Sequence, residues 1–187
     1  MSNNQHQDLT LNDEQLFELC RQNDVKAQEA LYRKHANAMF RLCHRYMKDD
    51  HLSEEAMIQG FYKVLTKVDT FQWRGPASFV AWIKRIMVNE SLMLLRKQKQ
   101  HTTSNEDEMM MIANQDYAEN GLLAEQVHQM VAMLPAGYRT VFNLYIIEGY
   151  SHKEIAQKLG VQESTSKSQL SKARNLLKKW VTKLDML

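Results

Sequence analysis

The chain has 187 residues, 44% hydrophobic and 25% charged, a composition typical of a soluble globular protein. Its two cysteines, Cys20 and Cys43, lie far apart, which argues against a disulfide framework or a zinc site and predicts reduced thiols. A polar N-terminus, and the lack of any stretch near the ~20 apolar residues of a membrane span, predict a cytoplasmic protein without membrane insertion.

The formal net charge of +2 conceals three blocks of different sign. Residues 1–100 contain 15 basic and 12 acidic side chains, residues 101–121 contain five acidic side chains and no Lys or Arg, and residues 122–187 contain nine basic and five acidic ones. Two basic ends are therefore joined by an acidic segment.

Few prolines and glycines, with apolar residues recurring at spacings of three and four, predict an all-α protein.

In chain order, a flexible segment over residues 1–12 precedes a helical domain over residues 13–100. Asp24 is a good N-cap for a long helix ending near Lys48, whose apolar face is Ala27, Leu31, Ala38, Leu42 and Tyr46. A second helix is predicted over residues 53–67, then a loop over residues 70–76. A third helix, residues 77–99, is expected to direct Phe79, Trp82, Ile83, Ile86 and Met93 inward.

The periodicity fades over residues 101–121, which predicts an acidic linker between two small helical domains. The second domain, residues 122–187, is predicted to contain four helices, over residues 122–133, 135–148, 151–159 and 163–182. Pro135 suits a first helical turn.

The segment from Tyr150 to Trp180 predicts a helix-turn-helix. Ser151 and Glu154 fit a capping box, Gly160 permits the sharp turn, and Val161 is expected to fill the angle between the two helices. In such a motif the second helix, here beginning near Glu163, enters the major groove of DNA.

The exposed positions of that second helix favour nucleic acid as the partner. Six bases occur from Lys167 to Lys183 without an acid between them, and such a stripe neutralises phosphates. Short or amide side chains beside it can reach phosphates or base edges; they are Ser164, Thr165, Ser168, Gln169 and Ser171. The alternative is a solvated basic helix on an ordinary bundle.

A second candidate nucleic-acid surface is the loop before the basic helix of residues 77–99. The loop contains Phe71, Trp73, Arg74 and Gly75, and aromatic rings beside cations suit unstacked single-stranded bases. For Phe79 and Trp82 the residues favour a place in the core, whereas for Trp73 and Arg74 they favour a nucleic-acid contact.

From about Glu14 to Val181 the sequence resembles the extracytoplasmic-function (ECF) sigma factors of the sigma-70 superfamily. SHKEIAQKLGV and STSKSQLSKAR resemble region 4 of that family, and SEEAMIQGFYKV, RGPASFVAWIKRIMVN and LLRK resemble region 2. The resemblance implies a transcription initiation factor whose region 4 reads the minus-thirty-five element as duplex. It implies that region 2 binds core RNA polymerase and melts the minus-ten element, trapping a flipped base in the loop. An anti-sigma factor is a further partner that the family leads us to expect.

The resemblance also implies roles for individual residues. Together with the residues that the basic helix itself favours, they give the predicted minus-thirty-five contacts: Ser164, Thr165, Lys167, Ser168, Gln169, Ser171, Lys172 and Arg174. The predicted minus-ten contacts are Phe71, Trp73, Arg74, Gly75, Arg85 and Asn89. The predicted polymerase contacts are Glu54, Glu55, Gln59 and Lys63. The acidic linker would thread positively charged channels of the polymerase.

The chain departs from the family pattern at several of these positions. Ile58 and Gln59 stand where Gln and an acid are usual, the loop is two residues longer through Gln72 and Trp73, and Pro76 replaces a polar residue. Met93 stands where Asp or Asn is common, and Gln169 where a base is common. These departures bear on the polymerase contact, the identity of the trapped base and the number of duplex contacts.

Two other classes of protein explain the sequence less well. A two-domain helix-turn-helix regulator would share the C-terminal motif but has no need of the segment TFQWRGPASFVAWIKRIMVNE. An enzyme is disfavoured, since the sequence contains no P-loop, HExxH, GxSxG or GxGxxG motif and its seven histidines are scattered. We therefore expect no catalytic residues, cofactor or metal.

Overall fold

The computed structural model describes residues 11–101 and 129–184, and every regular element within them is helical. The chain divides into two compact units, Met1–His101 and Thr102–Leu187. The predicted all-α fold with two helical domains is thereby confirmed. Of the predicted flexible segment and acidic linker, the structure describes only residues 11, 12 and 101.

The first unit begins with a short helix, α1 (Asp13–Arg21), which is absent from the predicted elements. Asn12 and Gln15 form a capping box, each side chain bonding the other residue's backbone N–H at 2.9 and 3.0 Å. The helix buries Leu16, Phe17 and Cys20. Its position is fixed at Asp13, whose carboxylate lies 2.9 Å from Lys34 Nζ and 3.1 Å from His35 Nε2.

The long helix α2 (Val25–Met47) matches its prediction closely. Asp24 caps it through Ala27 N–H at 2.9 Å, and Lys48 ends it in the left-handed conformation. The predicted apolar face is buried except at Ala38, which is exposed.

Helix α3 (Asp50–Thr66) begins three residues before the predicted start, because Asp49 caps it through Leu52 N–H at 2.8 Å. A single 3₁₀ turn (Val68–Thr70) and an extended loop then lead to α4 (Pro76–His101). Helices α2, α3 and α4 pack on one another around a core that includes Tyr46 and Ile83. Met93, expected inside, is 44% exposed.

Both cysteines lie in this unit and are buried as free thiols. Burial raises the pKa of each thiol to about 11, so both stay protonated near neutral pH. They are apolar packing residues with little nucleophilic character.

The second unit is described from α5 (residues 129–133) onward. Helix α6 (Ala136–Phe142) continues into a wider π-helical turn (Asn143–Ile147), and α7 (His152–Leu159) and α8 (Glu163–Leu184) complete the unit. Val131, Leu134 and Ala173 form the centre of its core, against which Tyr138, Phe142, Leu176, Leu177 and Trp180 pack.

A buried arginine ties α5 to α6. Arg139 is 6% exposed and donates to the carbonyl oxygens of Leu134 at 2.9 Å and Ala132 at 3.4 Å. It thereby satisfies one carbonyl in the last turn of α5 and one just after it. Burial lowers the pKa of its guanidinium to about 10, which still leaves it charged at neutral pH.

Among the helices that the structure describes, none combines the length and the apolar character needed to cross a bilayer.

Candidate nucleic-acid interface

The structure contains the predicted helix-turn-helix, formed by α7 and α8. Ser151 Oγ accepts from Glu154 N–H at 3.3 Å while the Glu154 carboxylate accepts from Ser151 N–H at 2.8 Å, so the expected capping box is present. Gly160 ends α7 with a φ of +68°, a conformation that favours glycine. Val161, expected to fill the angle between the helices, is instead 37% exposed.

A histidine joins the two helices of the motif. His152 Nδ1 lies 2.9 Å from Ser166 Oγ, and its ring stacks on Tyr145 with centroids 4.4 Å apart. Partial burial lowers the pKa of His152, and the positive charges of Lys167 and Arg174 lower it further against the opposing charge of Glu163. The neutral ring is therefore the form that the folded motif prefers.

The first half of α8 presents most of the predicted duplex contacts to solvent. Ser164, Lys167, Ser168, Ser171, Lys172 and Arg174 are exposed, whereas Thr165 and Gln169 are partly buried. Positions 164, 167, 168 and 171 share one helical face by their spacing. A row of hydroxyls and a cation on one face is suited to phosphate and base-edge contacts.

Several of these side chains have partners within the protein. Lys167 Nζ lies 2.7 Å from a Glu163 oxygen, the ammonium of Lys172 lies 5.8 Å from the ring centre of Tyr138, and the guanidinium of Arg174 lies 5.8 Å from that of Tyr145. The Gln169 amide lies so close to Gly137 that a Cβ there would be 3.3 Å from Nε2. Gln169 thus packs against α6, a contact that the sequence pattern does not indicate.

The aromatic loop of residues 71–75 lies against α1. Phe17 belongs to a ring cluster: its centroid lies 5.6 Å from that of Phe71, 5.3 Å from that of Trp73 and 5.4 Å from that of Phe79. Phe79 also contacts both loop rings, at 5.5 Å from Phe71 and 5.7 Å from Trp73. Phe71 also contacts Trp82, with centroids 5.0 Å apart. Phe79 is fully buried, in agreement with the predicted place in the core. Trp73, for which a nucleic-acid contact is predicted, also packs on Phe17.

The end of the loop is fixed by the start of α4. Ser78 Oγ accepts from Arg74 N–H at 3.2 Å and donates to the Gly75 carbonyl at 2.7 Å. Gly75 has a φ of +107°, a backbone conformation that residues other than glycine rarely adopt. The Arg74 side chain is left exposed, and Arg85 and Asn89 are exposed one turn apart on α4.

The predicted polymerase contacts lie on α3. Glu54, Glu55 and Gln59 are exposed, and so are Ile58 at 50% and Tyr62 at 64%. Lys63 differs from these residues, because its ammonium binds both carboxylate oxygens of Glu90 on α4.

Among residues 11–101 and 129–184 no group of three or more His, Cys, Asp or Glu side chains could hold a metal ion.

Comparison with known proteins places both units in one family. Residues 31–101 match the family model for sigma-70 region 2, and residues 124–177 match that for sigma-70 region 4. The RNA polymerase sigma factor SigV of Bacillus subtilis is 26% identical over 154 residues, covering 81% of this chain and 89% of SigV. The ECF RNA polymerase sigma-E factor of Haemophilus influenzae is 26% identical over 180 residues, covering 89% and 94%.

A solved structure shares the fold. The sigma factor RpoE of Bartonella quintana, determined with the anti-sigma factor NepR, superposes with a TM-score of 0.51 at 21% identity, over 84% of this chain and 98% of that one. The helix-turn-helix, the region 2 and region 4 matches and the curated relatives agree, and the chain belongs to the sigma-70 family of RNA polymerase sigma factors, in its ECF group.

Proposed function

We propose that the chain is a transcription initiation factor that binds core RNA polymerase and directs it to specific promoters. The observation that carries this proposal is the presence, in one chain, of a region 2 unit with an aromatic loop and a region 4 unit with a helix-turn-helix. A regulator acting through a helix-turn-helix alone has no need of the first unit. This alternative is therefore not favoured.

The unit of residues 122–187 is assigned to the minus-thirty-five element. Its support is the exposed face of α8, where Ser164, Lys167, Ser168 and Ser171 follow one another at helical spacing and Lys172 and Arg174 lie beside them. Such a helix docks in the major groove, with cations on the phosphates and short polar groups on the base edges. Thr165 and Gln169 are less accessible and are assigned a smaller part in the contact with the duplex.

The unit of residues 13–100 is assigned to the minus-ten element and to the polymerase. Arg74, Gly75, Arg85 and Asn89 are proposed to contact the melted strand, together with the rings of Phe71 and Trp73. The exposed face of α3 with Glu54, Glu55 and Gln59 is proposed to contact the polymerase. The exposed Ile58, which stands where the family has a polar residue, would make that contact more apolar than the family pattern suggests.

Partners and location follow from the same role. Core RNA polymerase and promoter DNA are the proposed partners, which places the protein in the cytoplasm. An anti-sigma factor is proposed as a regulator, supported by the complex in which the similar RpoE was determined. The proposed role requires no catalytic residues of this chain, so no enzymatic activity is assigned.

Run-off transcription tests the proposal. The full chain is combined with core RNA polymerase of its source organism and a pool of that organism's promoter fragments. Promoter-dependent transcripts that need both components are expected. Binding to promoter duplex without any transcript, at saturating core polymerase, would instead indicate a regulator.

A further inference from the structure

We infer that Phe17, on the α1 helix, is a positioning residue for the aromatic loop: it fixes which side of residues 71–75 faces the melted promoter strand. The inference rests on the proposed role of the loop in minus-ten recognition. Phe17 is 2% exposed and has no access to DNA, so it would act only through the residues that it holds.

The loop itself alternates. Its backbone has no helical residues, and Phe71 is extended with φ −81° and ψ 133°. Phe71 and Trp73 are partly buried, while Gln72 and Arg74 between and after them are exposed. Successive side chains of an extended segment point to opposite sides, so holding one side of each ring against the protein directs Gln72 and Arg74 outward. The rings are only partly buried, which leaves the rest of each ring for the proposed strand contact.

Two rings contact both Phe71 and Trp73: Phe79, at the start of α4, and Phe17, which holds them from the α1 side. Trp73 stacks on it at an interplanar angle of 23°, and Phe71 meets it edge to face at 84°. Both are favourable arrangements for ring pairs. The two-residue extension through Gln72 and Trp73 therefore keeps the alternation, because it adds one inward ring and one outward polar side chain.

Helix α1 is itself well anchored, so it can act as a fixed support. Leu16 and Cys20 are each 1% exposed, and Asp13 binds Lys34 and His35 of α2. At the other end of the helix, Arg21 lies over the Phe17 ring at 5.6 Å and 3.5 Å from Asp69, which lies in the 3₁₀ turn before the loop. The contacts of α1 thus reach the entrance of the loop as well as its rings.

The test compares Phe17→Leu with Phe61→Leu. Leucine keeps most of the apolar volume, and Phe61 is an equally buried phenylalanine of the same unit whose ring packs on Tyr32 instead. Each full chain is assembled with core polymerase and purified as the complex, so that unfolded protein is left behind. Affinity is then measured for fluorescent single-stranded oligonucleotides covering the minus-ten element, with each base substituted in turn.

We expect wild type and Phe61→Leu to prefer one base at one position of the oligonucleotide. In Phe17→Leu the ratio of affinities for the preferred and the other bases should be smaller by about fivefold or more. Binding to minus-thirty-five duplex should be equal in all three complexes. An unchanged preference in Phe17→Leu would overturn the positioning role while leaving the proposed function intact. A wild-type complex without any base preference would overturn the positioning role together with the proposed minus-ten role of the loop, and run-off transcription would show separately whether the proposed function also fails.

Discussion

Lys63 on α3 donates to both carboxylate oxygens of Glu90 on α4, at 2.7 and 2.8 Å. Glu90 is only 4% exposed, whereas the side chain of Lys63 is 35% exposed and can reach water. The buried carboxylate therefore needs the ammonium to offset its lost hydration. The ammonium depends less on the carboxylate, because water can solvate it. This pairing joins the proposed polymerase-binding helix to the proposed minus-ten helix.

The first prediction follows from this inequality. Lys63→Met should lower the free energy of unfolding by about 3 kcal/mol, because it leaves a buried carboxylate without its cation. Glu90→Gln should cost less, since the freed ammonium can turn to solvent. Urea denaturation of the single variants and of Lys63→Met/Glu90→Gln gives the coupling between the two side chains.

An exposed pair on α2 provides the control. Glu29 and Arg33 are 53% and 54% exposed and lie one helical turn apart, so Arg33→Met should cost no more than about 0.5 kcal/mol. If Lys63→Met cost as little as Arg33→Met, the pair would be a surface contact and Lys63 would be free for the polymerase.

The second prediction concerns the close approach of α3 and α4. A Cβ on Gly60 would lie 2.2 Å from Met87 Sδ, and Met87 is fully buried. Gly60→Ala should therefore destabilise the first unit by about 1–3 kcal/mol through overpacking, even though alanine favours helices. Thermal denaturation measures the loss. Met87→Leu, which removes the sulfur from this position, should recover part of it in the double variant.

The third prediction is a pH dependence at His152. Its folded pKa lies below the ordinary 6.5, so between the two values the unfolded chain binds more protons than the folded one. The contribution of His152 to stability is complete above pH 6.5 and is lost as the pH falls through that interval. NMR titration should give a pKa below 6.5, and Lys167→Gln should raise it by removing a nearby positive charge. A His152 pKa at or above 6.5 in the wild type would contradict the prediction.

Local signals were predictable from the sequence, and contacts between distant residues were not. Ser151, Glu154 and Gly160 could be placed because a cap and a turn depend only on neighbouring residues. Helix α1 is hard to predict from the sequence although Asn12 and Gln15 carry a capping signal, because its apolar face of Leu16, Phe17 and Cys20 is short.

The wrong assignments share one physical origin. Periodicity shows which positions share a face, but the neighbouring elements decide how much of that face is covered. Ala38, Met93 and Val161 are apolar positions that stay exposed within the part of the chain that the structure describes. The packing partner of Trp73 could not be named from the sequence, because Phe17 is remote in sequence and lies on α1.

The fourth prediction separates packing from nucleic-acid contact within the loop. Trp73→Ala should lower stability by about 1–3 kcal/mol, since it removes ring contacts with Phe17 and Phe79, while Trp73→Phe should retain most of it. Arg74→Ala should leave stability unchanged, because its side chain is exposed, yet weaken open-complex formation by about 1–3 kcal/mol.

Circular dichroism melts and permanganate footprinting of the melted promoter distinguish these effects. Duplex minus-thirty-five binding should be the same in all three variants. Loss of stability in Arg74→Ala, or unimpaired melting by it, would contradict the proposed role of Arg74.

The fifth prediction concerns Glu163, which holds Lys167 at 2.7 Å on the face proposed to meet DNA. The pKa of Glu163 is lowered by its hydrogen bond with Lys167 and by that lysine's charge, so the carboxylate is ionised at neutral pH. It both occupies a cation and places a negative charge near the phosphates. Glu163→Gln should therefore raise the affinity for promoter duplex. It should also steepen the dependence of log affinity on log salt by about 0.9, as expected for one more neutralised phosphate.

The matched control for this change is Glu29→Gln. Glu29 is also an exposed glutamate, paired one turn along a helix with Arg33, but it lies in the other unit. The two variants change the net charge equally, so a general charge effect would raise the duplex affinity of both. Fluorescence anisotropy with a minus-thirty-five duplex, at several salt concentrations, measures affinity and slope together. A gain confined to Glu163→Gln would assign Lys167 to a phosphate, because only there does removing the carboxylate release a cation on the α8 face. Equal gains, or none in either variant, would place Lys167 outside the interface.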